Sequence, residues 1–219
     1  MKYSKEEIRK SMLLYAVTDR MWLKEGEKLT DVCKHVLEHG ATFLQIREKD
    51  LDEGTFEQEA EELKGLCAQY HVPFVVNDSV EIAIDIDADG VHVGQSDIKG
   101  RDIRAMIGPD KILGISAGTV EEAQAAEKAG ADYIGVGAVF GTSTKKNARN
   151  LSKEKLKEIS SSVSIPVVAI GGINASNVAE LSGCGVDGVA VVSAIFAAED
   201  PGAATEHLKT LAAEMVSHE

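Results

Sequence analysis

The segment AGADYIGV at residues 129–136 contains a pattern that recurs along the chain: a glycine, one or two small or acidic residues, and then an apolar run. Related stretches are HGATFLQI at 39–46, DADGVHV at 87–93 and CGVDGVAV at 184–191. Glycine commonly ends helices and short β-branched runs form strands, so each stretch predicts a helix end followed directly by a strand. The repetition indicates a chain built from one strand–helix unit used several times.

Short apolar runs that end in glycine, aspartate or serine are the candidate strands. The runs are LLYAVTD, TFLQIRE, PFVVND, GVHVG, KILGISA, YIGVGAVF, IPVVAIGG and GVAVVSAI. Helical periodicity lies between most of them, at residues 29–39, 55–70, 120–129 and 153–160, and SVEIAIDIDAD leaves room for a short helix. Strands that alternate with helices predict parallel strands with right-handed crossovers.

The number of repeated units favours a closed (β/α)₈ (TIM) barrel, because a chain of 219 residues lies near the ~200-residue lower limit of that fold. An open doubly wound sheet is the alternative, but AVTDR at 16–20 stands where its GxGxxG turn is expected. We therefore expect an α/β protein with one (β/α)₈-barrel domain over residues 1–219. Ser4 and Glu7 form a potential capping box, which predicts a short extra N-terminal helix at the bottom of the barrel.

Composition excludes several classes of partner. The 36 acidic and 23 basic residues give a formal charge of −13, which disfavours binding to nucleic acid or an anionic membrane. The N-terminus is too charged for a signal peptide, and no apolar stretch reaches the ~20 residues of a membrane span. Three widely spaced cysteines fit reduced thiols, so we expect a cytoplasmic protein. The composition is compatible with a homodimer without requiring one.

In a (β/α)₈ barrel the carboxyl ends of all the strands meet at one face, so residues there form a common site. Gln45, Arg47 and Lys49 alternate along the second strand and therefore project to the same side. Two cations beside an amide suit phosphate oxygens. The alternative is a strand edge that pairs with the acidic surface, and the position at the barrel mouth favours the phosphate interpretation.

Asp78 and Asp97 end the third and fourth strands, and neighbouring strands lie only ~4.8 Å apart. Two carboxylates at ~4 Å repel by about 4 kcal/mol at an effective dielectric of 20, which favours a bound cation. Mg²⁺ is the predicted ion because it commonly uses one or two carboxylates together with water and phosphate oxygens. In the alternative interpretation, each aspartate caps the helix after its strand.

The seventh and eighth strands end in GGIN and VSAI, so we expect helices to begin near Gly171, Gly172 and Ser193. Phosphate sites in these barrels are often built there from backbone N–H groups. The alternative is that the glycines only allow a tight turn.

The sixth strand is followed by FGTSTKKNA at 140–148, which combines hydroxyls with positive charge. A loop of this kind at a barrel mouth is often a lid, although a solvated polar loop has the same composition. Its candidate ligand-binding residues are Thr142, Ser143, Thr144 and Lys145. His92 is expected inside the barrel or at its rim, and Trp22 either covers the site or packs.

Seven motifs, QIREK, VVND, GVHVGQSD, GISA, TSTK, AIGGI and VVSAI, occur in an order that resembles the thiamine phosphate synthase family. The resemblance extends from Leu14 to Ile195 and implies a transferase of thiamine biosynthesis on a (β/α)₈ barrel. Such enzymes join 4-amino-2-methyl-5-(diphosphooxymethyl)pyrimidine to a hydroxyethyl-thiazole phosphate, or its carboxylated form, and release diphosphate. The leaving diphosphate generates a pyrimidine cation, which the thiazole nitrogen captures.

The resemblance also implies roles for individual residues. The pyrimidine diphosphate would be held by Gln45, Arg47, Lys49, Asn77, Ser116 and Lys145, of which Arg47, Lys49, Ser116 and Lys145 would act in catalysis. Asp78 and Asp97 would bind Mg²⁺. The thiazole phosphate would be held by Thr142, Ser143, Thr144, Gly172, Val192 and Ser193.

Two positions depart from the family pattern, since many members have proline where this chain has Gly141 and a bulkier residue at Ala138. Glycine at 141 predicts a looser lid.

Two other functions compete with the synthase. A thiazole tautomerase resembles this family but needs no diphosphate site, and a non-catalytic sensor of a thiamine precursor could retain the phosphate cradle without the metal pair. The full set of cations and carboxylates favours the synthase.

Overall fold

Parallel strands close into a barrel in which each strand is hydrogen-bonded to the next and β8 pairs with β1. The computed structural model describes residues 2–141 and 151–217. The closed barrel confirms the predicted fold class. The strands are Leu14–Val17 (β1), Phe43–Ile46 (β2), Phe74–Asn77 (β3), Gly90–Val93 (β4), Ile112–Ala117 (β5), Tyr133–Gly137 (β6), Val167–Ile170 (β7) and Gly188–Val191 (β8).

Helices connect the strands on the outside of the barrel. The α-helices are Lys5–Ser11 (α1), Leu29–Glu38 (α2), Glu53–Gln69 (α3), Val80–Asp85 (α4), Ile103–Ile107 (α5), Val120–Lys128 (α6), Lys153–Ser160 (α7), Ser193–Phe196 (α8) and Pro201–Ser217 (α9). The bounds of α7 are those predicted. Helix α3 begins two residues before the predicted start, because Asp52 accepts a hydrogen bond from the Thr55 N–H and so caps the helix earlier.

Helix α1 confirms the predicted N-terminal extension. Ser4 and Glu7 form the capping box. Ile8 and Met12 are buried in one apolar cluster with Tyr15 and Phe43, whose side chains point into the barrel. The helix therefore closes the end of the barrel where the strands begin.

The turn after β7 corrects one prediction. No helix begins at Gly171 or Gly172, and the next regular element is the 3₁₀ helix Val178–Leu181. Both glycines have positive φ, +103° and +67°, which an α-helix does not accommodate. The other predicted start is confirmed, because α8 begins at Ser193.

Cys33, Cys67 and Cys184 are buried thiols outside any disulfide, as the sequence predicted. Across the part of the chain that the structure describes, no helix is both long enough and apolar enough to cross a bilayer.

Candidate active site

A cavity of about 770 Å³ opens at the carboxyl ends of the strands. Its walls contain every predicted site residue that the structure describes. These residues are Gln45, Arg47, Lys49, Asn77, Asp78, Asp97, Ser116, Gly172, Val192 and Ser193, and Gly171 joins them. The predicted contacts Thr142, Ser143, Thr144 and Lys145 lie outside the described residues. The structure thus brings together strand ends that are far apart in sequence.

Arg47 and Lys49, which follow β2, face carboxylates at the same rim. Lys49 Nζ lies 2.5 Å from Asp78 Oδ2, and Arg47 Nη1 lies 4.0 Å from Asp19 Oδ2. The Arg47 backbone N–H also donates to Thr18 Oγ1 at 2.9 Å. The cations therefore pair with carboxylates, as the alternative interpretation expected, but these carboxylates lie at the cavity mouth and not on the outer surface of the barrel.

Asp78 has an unusual backbone for a residue with a side chain, because its φ is +64°. Aspartate is one of the few residues that enter this left-handed region readily. Its N–H donates to the His92 carbonyl oxygen at 2.8 Å, which joins the end of β3 to β4. The cap of α4 is supplied by Ser79, whose side chain accepts from the Ile82 N–H. Asp78 is therefore not a helix cap.

Asp97 likewise leaves the capping of the next helix to another residue. Asp102 accepts from the Ala105 N–H at the start of α5. The Asp97 carboxylate instead accepts from the Gly94 N–H at 2.8 Å, which orders the turn after β4. Both carboxylates line the cavity, so the capping alternative is wrong for this pair.

The Gly171–Gly172 turn is held against the chain that leaves β6. The Phe140 N–H donates to the Gly171 carbonyl oxygen at 2.9 Å. A Cβ atom at Gly172 would lie 2.4 Å from the Gly141 carbonyl oxygen, closer than real Cβ contacts allow. A residue without a side chain is therefore required where two backbones meet at the cavity wall.

The backbone on both sides of residues 142–150 is anchored at the cavity. Before the segment, the Val139 N–H donates to the Ile170 carbonyl oxygen at 3.0 Å. After it, the Leu151 N–H donates to the Ala138 carbonyl oxygen at 2.7 Å, and Leu151 lines the cavity. Both neighbours of the hydroxyl- and lysine-rich segment therefore lie at the mouth of the site.

Sequence reasoning missed a hydrogen-bonded chain of side chains below the cavity. Gln45 Nε2 lies 2.5 Å from the Tyr15 oxygen, which lies 2.7 Å from the Tyr133 oxygen. The Tyr133 oxygen lies 2.9 Å from His92 Nδ1, and His92 Nε2 lies 3.0 Å from Ser116 Oγ. Burial raises the pKa of Tyr15 and of Tyr133, so both phenols are protonated at neutral pH.

Part of this chain of contacts could have been found from the sequence. Tyr15, Gln45 and His92 occupy inward positions of predicted strands, where a polar residue needs a partner. Tyr133 gave no such signal, since a tyrosine in an apolar run is usually part of the core.

Another buried group supports the site from behind. Arg20 Nε donates to Glu48 Oε2 at 2.7 Å and Arg20 Nη2 donates to Glu59, which fastens the segment after β1 to β2 and α3. Burial raises the pKa of Glu48 despite the opposing effect of Arg20.

Trp22 is 37% exposed and is not among the residues that line the cavity, so the described structure does not place it over the site.

Sequence comparison identifies relatives along nearly the whole chain. The sequence profile of the family described as "Thiamine monophosphate synthase" matches residues 14–195. A protein of Methanobrevibacter smithii named thiamine-phosphate synthase is 48% identical over 195 residues, which are 89% of this chain and 92% of the relative. A protein of the same name from Clostridium tetani is 46% identical over 195 residues, 89% of this chain and 93% of the relative.

Structural comparison agrees with the sequence matches. A solved structure described as thiamine phosphate pyrophosphorylase from Pyrococcus furiosus has a TM-score of 0.87 and 40% identity, covering 95% of this chain and 99% of its own. A geranylgeranylglyceryl phosphate synthase from Thermoplasma acidophilum, at 13% identity and a TM-score of 0.68, shares the fold alone. Together with the profile that spans 14–195, these matches show that the chain belongs to the thiamine monophosphate synthase family.

Proposed function

We propose that this protein is a thiamine-phosphate synthase that condenses 4-amino-2-methyl-5-(diphosphooxymethyl)pyrimidine with hydroxyethyl-thiazole phosphate, or its carboxylated form. The observation that supports this most strongly is a single cavity with two polar regions. One region, on β2 to β4, combines cations with carboxylates, and the other, after β7 and β8, combines a glycine turn with Ser193. Two phosphorylated substrates fit such a cavity, and the family assignment names their reaction.

The diphosphate of the pyrimidine substrate is assigned to the β2 side of the cavity. Arg47 and Lys49 provide positive charge there, and Asn77 and Ser116 provide neutral polar groups. Lys145 is proposed as a further cation because both neighbours of its segment are anchored at the cavity mouth. Positive groups placed where charge develops on the leaving diphosphate lower the barrier to its departure.

Asp78 and Asp97 fit a Mg²⁺ ion chemically. Both present hard oxygen ligands to the cavity and neither is a helix cap; a bound ion would share the Asp78 carboxylate with Lys49. Mg²⁺ commonly takes one or two carboxylates and fills its other positions with water and phosphate oxygens, which matches the two aspartates proposed here. When bound, Mg²⁺ would neutralise diphosphate charge.

The phosphate of the thiazole substrate is assigned to the other side of the cavity. Gly172, Val192 and Ser193 provide backbone groups and one hydroxyl. No side chain fits at Gly172 because the backbone of Phe140 and Gly141 occupies that direction, and the glycine turn itself lies in the cavity wall. The hydroxyls of Thr142, Ser143 and Thr144 are proposed to complete this site from the adjacent segment.

Between the two regions, the walls are apolar and are formed by Val17, Val168, Ile170 and Ala190. In the proposed reaction the bond between the pyrimidine methylene carbon and the diphosphate oxygen breaks, and its electrons leave with diphosphate. The thiazole nitrogen lone pair then forms the new C–N bond. Water would compete for the same carbon, so apolar walls that hold both rings in place favour the synthetic outcome.

The test is to mix the purified protein with both substrates and Mg²⁺ and to measure thiamine phosphate and released diphosphate, with a chelator as the control. Chelator-sensitive formation of both products supports the synthase and the metal. If no thiamine phosphate forms although the thiazole phosphate binds, the sensor is favoured. If the protein isomerises the thiazole phosphate in the absence of the pyrimidine substrate, the tautomerase is favoured.

Two further properties belong to this proposal. Buried thiols at Cys33, Cys67 and Cys184 support a reducing, cytoplasmic location. Light scattering of the purified chain will show whether it forms a homodimer.

A further inference from the structure

Tyr133 is the one member of the hydrogen-bonded chain beneath the cavity that does not line it. Tyr15, Gln45, His92 and Ser116 all border the cavity, whereas Tyr133 is fully buried behind them. It nevertheless connects the two halves of the chain, because its hydroxyl contacts both Tyr15 and His92. Because Tyr133 does not line the cavity, its role in the network is not substrate contact.

The strand register shows how the contact between Tyr133 and His92 is possible. Gly114 on β5 pairs with His92 of β4 on one side and with Tyr133 of β6 on the other. A Cβ atom at Gly114 would lie 2.3 Å from the Tyr133 oxygen and 2.5 Å from His92 Nδ1. Two side chains that start two strands apart, about 9.6 Å at ~4.8 Å per strand, therefore meet over a glycine.

Which group donates in each hydrogen bond of this chain follows from Gln45 at one end. The Gln45 amide nitrogen can only donate, so the Tyr15 oxygen accepts from it. Tyr15 is buried and protonated, and the acceptor for its hydrogen is the Tyr133 oxygen. The Tyr133 hydroxyl then donates to His92 Nδ1. With Nδ1 accepting, neutral His92 has its proton on Nε2.

The last link places a donor in the cavity. In that tautomer the His92 Nε2–H donates to Ser116 Oγ, 3.0 Å away, so the hydroxyl hydrogen of Ser116 is directed away from His92. The Ser116 carbonyl oxygen is occupied separately by Gln95 Nε2 at 2.7 Å. A serine hydroxyl that already accepts from histidine and lines the cavity can donate to a ligand oxygen or ring nitrogen.

We propose that Tyr133 is a positioning residue, which fixes His92 in the Nε2–H tautomer and thereby presents the Ser116 hydroxyl as a hydrogen-bond donor to the bound substrate. Gly114 provides the space for this arrangement. The catalytic consequence rests on the proposed synthase function, but the tautomer itself does not.

The direct test is NMR of protein labelled with ¹⁵N-histidine, in which the two neutral tautomers have different nitrogen shifts. His92 is assigned by the signal that disappears in His92→Gln. The expected result is the Nε2–H tautomer in the wild type and a mixture of tautomers, or the Nδ1–H form, in Tyr133→Phe. A wild-type Nδ1–H tautomer, or one that Tyr133→Phe leaves unchanged, overturns the proposal.

The second test is a double-mutant cycle on turnover with Tyr133→Phe and Ser116→Ala. Tyr133→Phe keeps the ring that packs on Phe43 and is expected to lower kcat about tenfold, equivalent to ~1.4 kcal/mol. In the Ser116→Ala background it should lower kcat less than about twofold, because the group through which it acts is gone. Equal effects in both backgrounds overturn the proposal.

A matched control is Tyr70→Phe, which also removes one phenol hydroxyl, here one that donates to Glu38 at 3.1 Å on the outer surface. It should leave kcat and the His92 signal unchanged. If the protein forms no thiamine phosphate at all, the synthase assignment fails while the NMR result still decides the tautomer.

Discussion

The Asp78→Asn substitution separates a role in the site from a role in the fold. Lys49 and Asp78 form an ion pair whose side chains are 48% and 36% exposed. Exposed pairs contribute only about 0.2–1 kcal/mol to folding, and 1 kcal/mol shifts the Tm of a domain of this size by roughly 2–4 °C. Asparagine also tolerates the left-handed backbone at this position. We therefore expect the Tm to fall by no more than about 4 °C.

The effect on catalysis should be much larger. Weaker binding of the ion that neutralises charge on the leaving diphosphate should cost about as much as the loss of one such electrostatic contact, which is typically about 10²–10³ in rate, or roughly 2.7–4 kcal/mol. Asp78→Asn removes a formal charge from the proposed Mg²⁺ ligands, so we also expect the Mg²⁺ concentration for half-maximal activity to rise. The assay is steady-state formation of thiamine phosphate over a Mg²⁺ titration, with Tm measured by circular dichroism.

The chain offers a closely matched control in Asp87→Asn. Asp87 also has a positive φ, +53°, and also pairs with a lysine, Lys111, but it precedes β4 at the opposite end of the barrel. Asp87→Asn should change Tm by a similar amount and leave the Mg²⁺ titration unchanged. The reasoning is refuted if Asp78→Asn keeps wild-type turnover and Mg²⁺ dependence, or if Asp87→Asn impairs turnover equally.

Four other outcomes are expected. Gly172→Ala should raise the KM for the thiazole phosphate at least about tenfold and cost about 1–3 kcal/mol of stability, whereas Gly26→Ala, at a φ of +79° with no atom within 4 Å, should leave KM unchanged. Lys145→Ala should raise the KM for the pyrimidine diphosphate about tenfold, and an unaltered KM and kcat would remove Lys145 from the site. Burial raises the pKa of Glu48 above 4.5, so protonation of this carboxyl favours the folded state. The Tm of the wild type relative to Glu48→Gln should therefore be highest below about pH 4.5 and should decline as the pH rises through the raised pKa. A Tm difference that grows with pH would contradict this. Burial also raises the pKa of the Cys67 thiol, so a thiol reagent should modify it only as fast as the protein unfolds, which a comparison of modification and unfolding rates will show.

The fold could be predicted from the sequence because strand and helix patterns are local and their alternation restricts the topology. The bounds of α7 were correct because a serine cap and an amphipathic run define it. The turn at Gly171 and Gly172 was mispredicted, since its positive φ values serve a close approach to Phe140 and Gly141 that only the folded chain reveals.

The site could be predicted only to the level of residues at strand ends. The prediction that Arg47 and Lys49 lie at the mouth was correct because they follow the carboxyl end of β2, although the strand itself ends at Ile46. The contact of His92 with Tyr133 required the register of three strands and the absence of a side chain at Gly114. Register between strands distant in sequence is not encoded in any local pattern.

Helix α1 closes the barrel at the end where the strands begin, because Ile8 and Met12 fill that end and are 1% and 0% exposed. Among the described residues the cavity opens at the carboxyl ends of the strands, where both proposed substrates would enter. In the proposed reaction, whichever substrate binds deeper in this cavity has to arrive before its partner, and its fragments have to wait for that partner to depart. Steady-state kinetics should consequently follow a compulsory order, in which excess second substrate inhibits by occupying the entrance first.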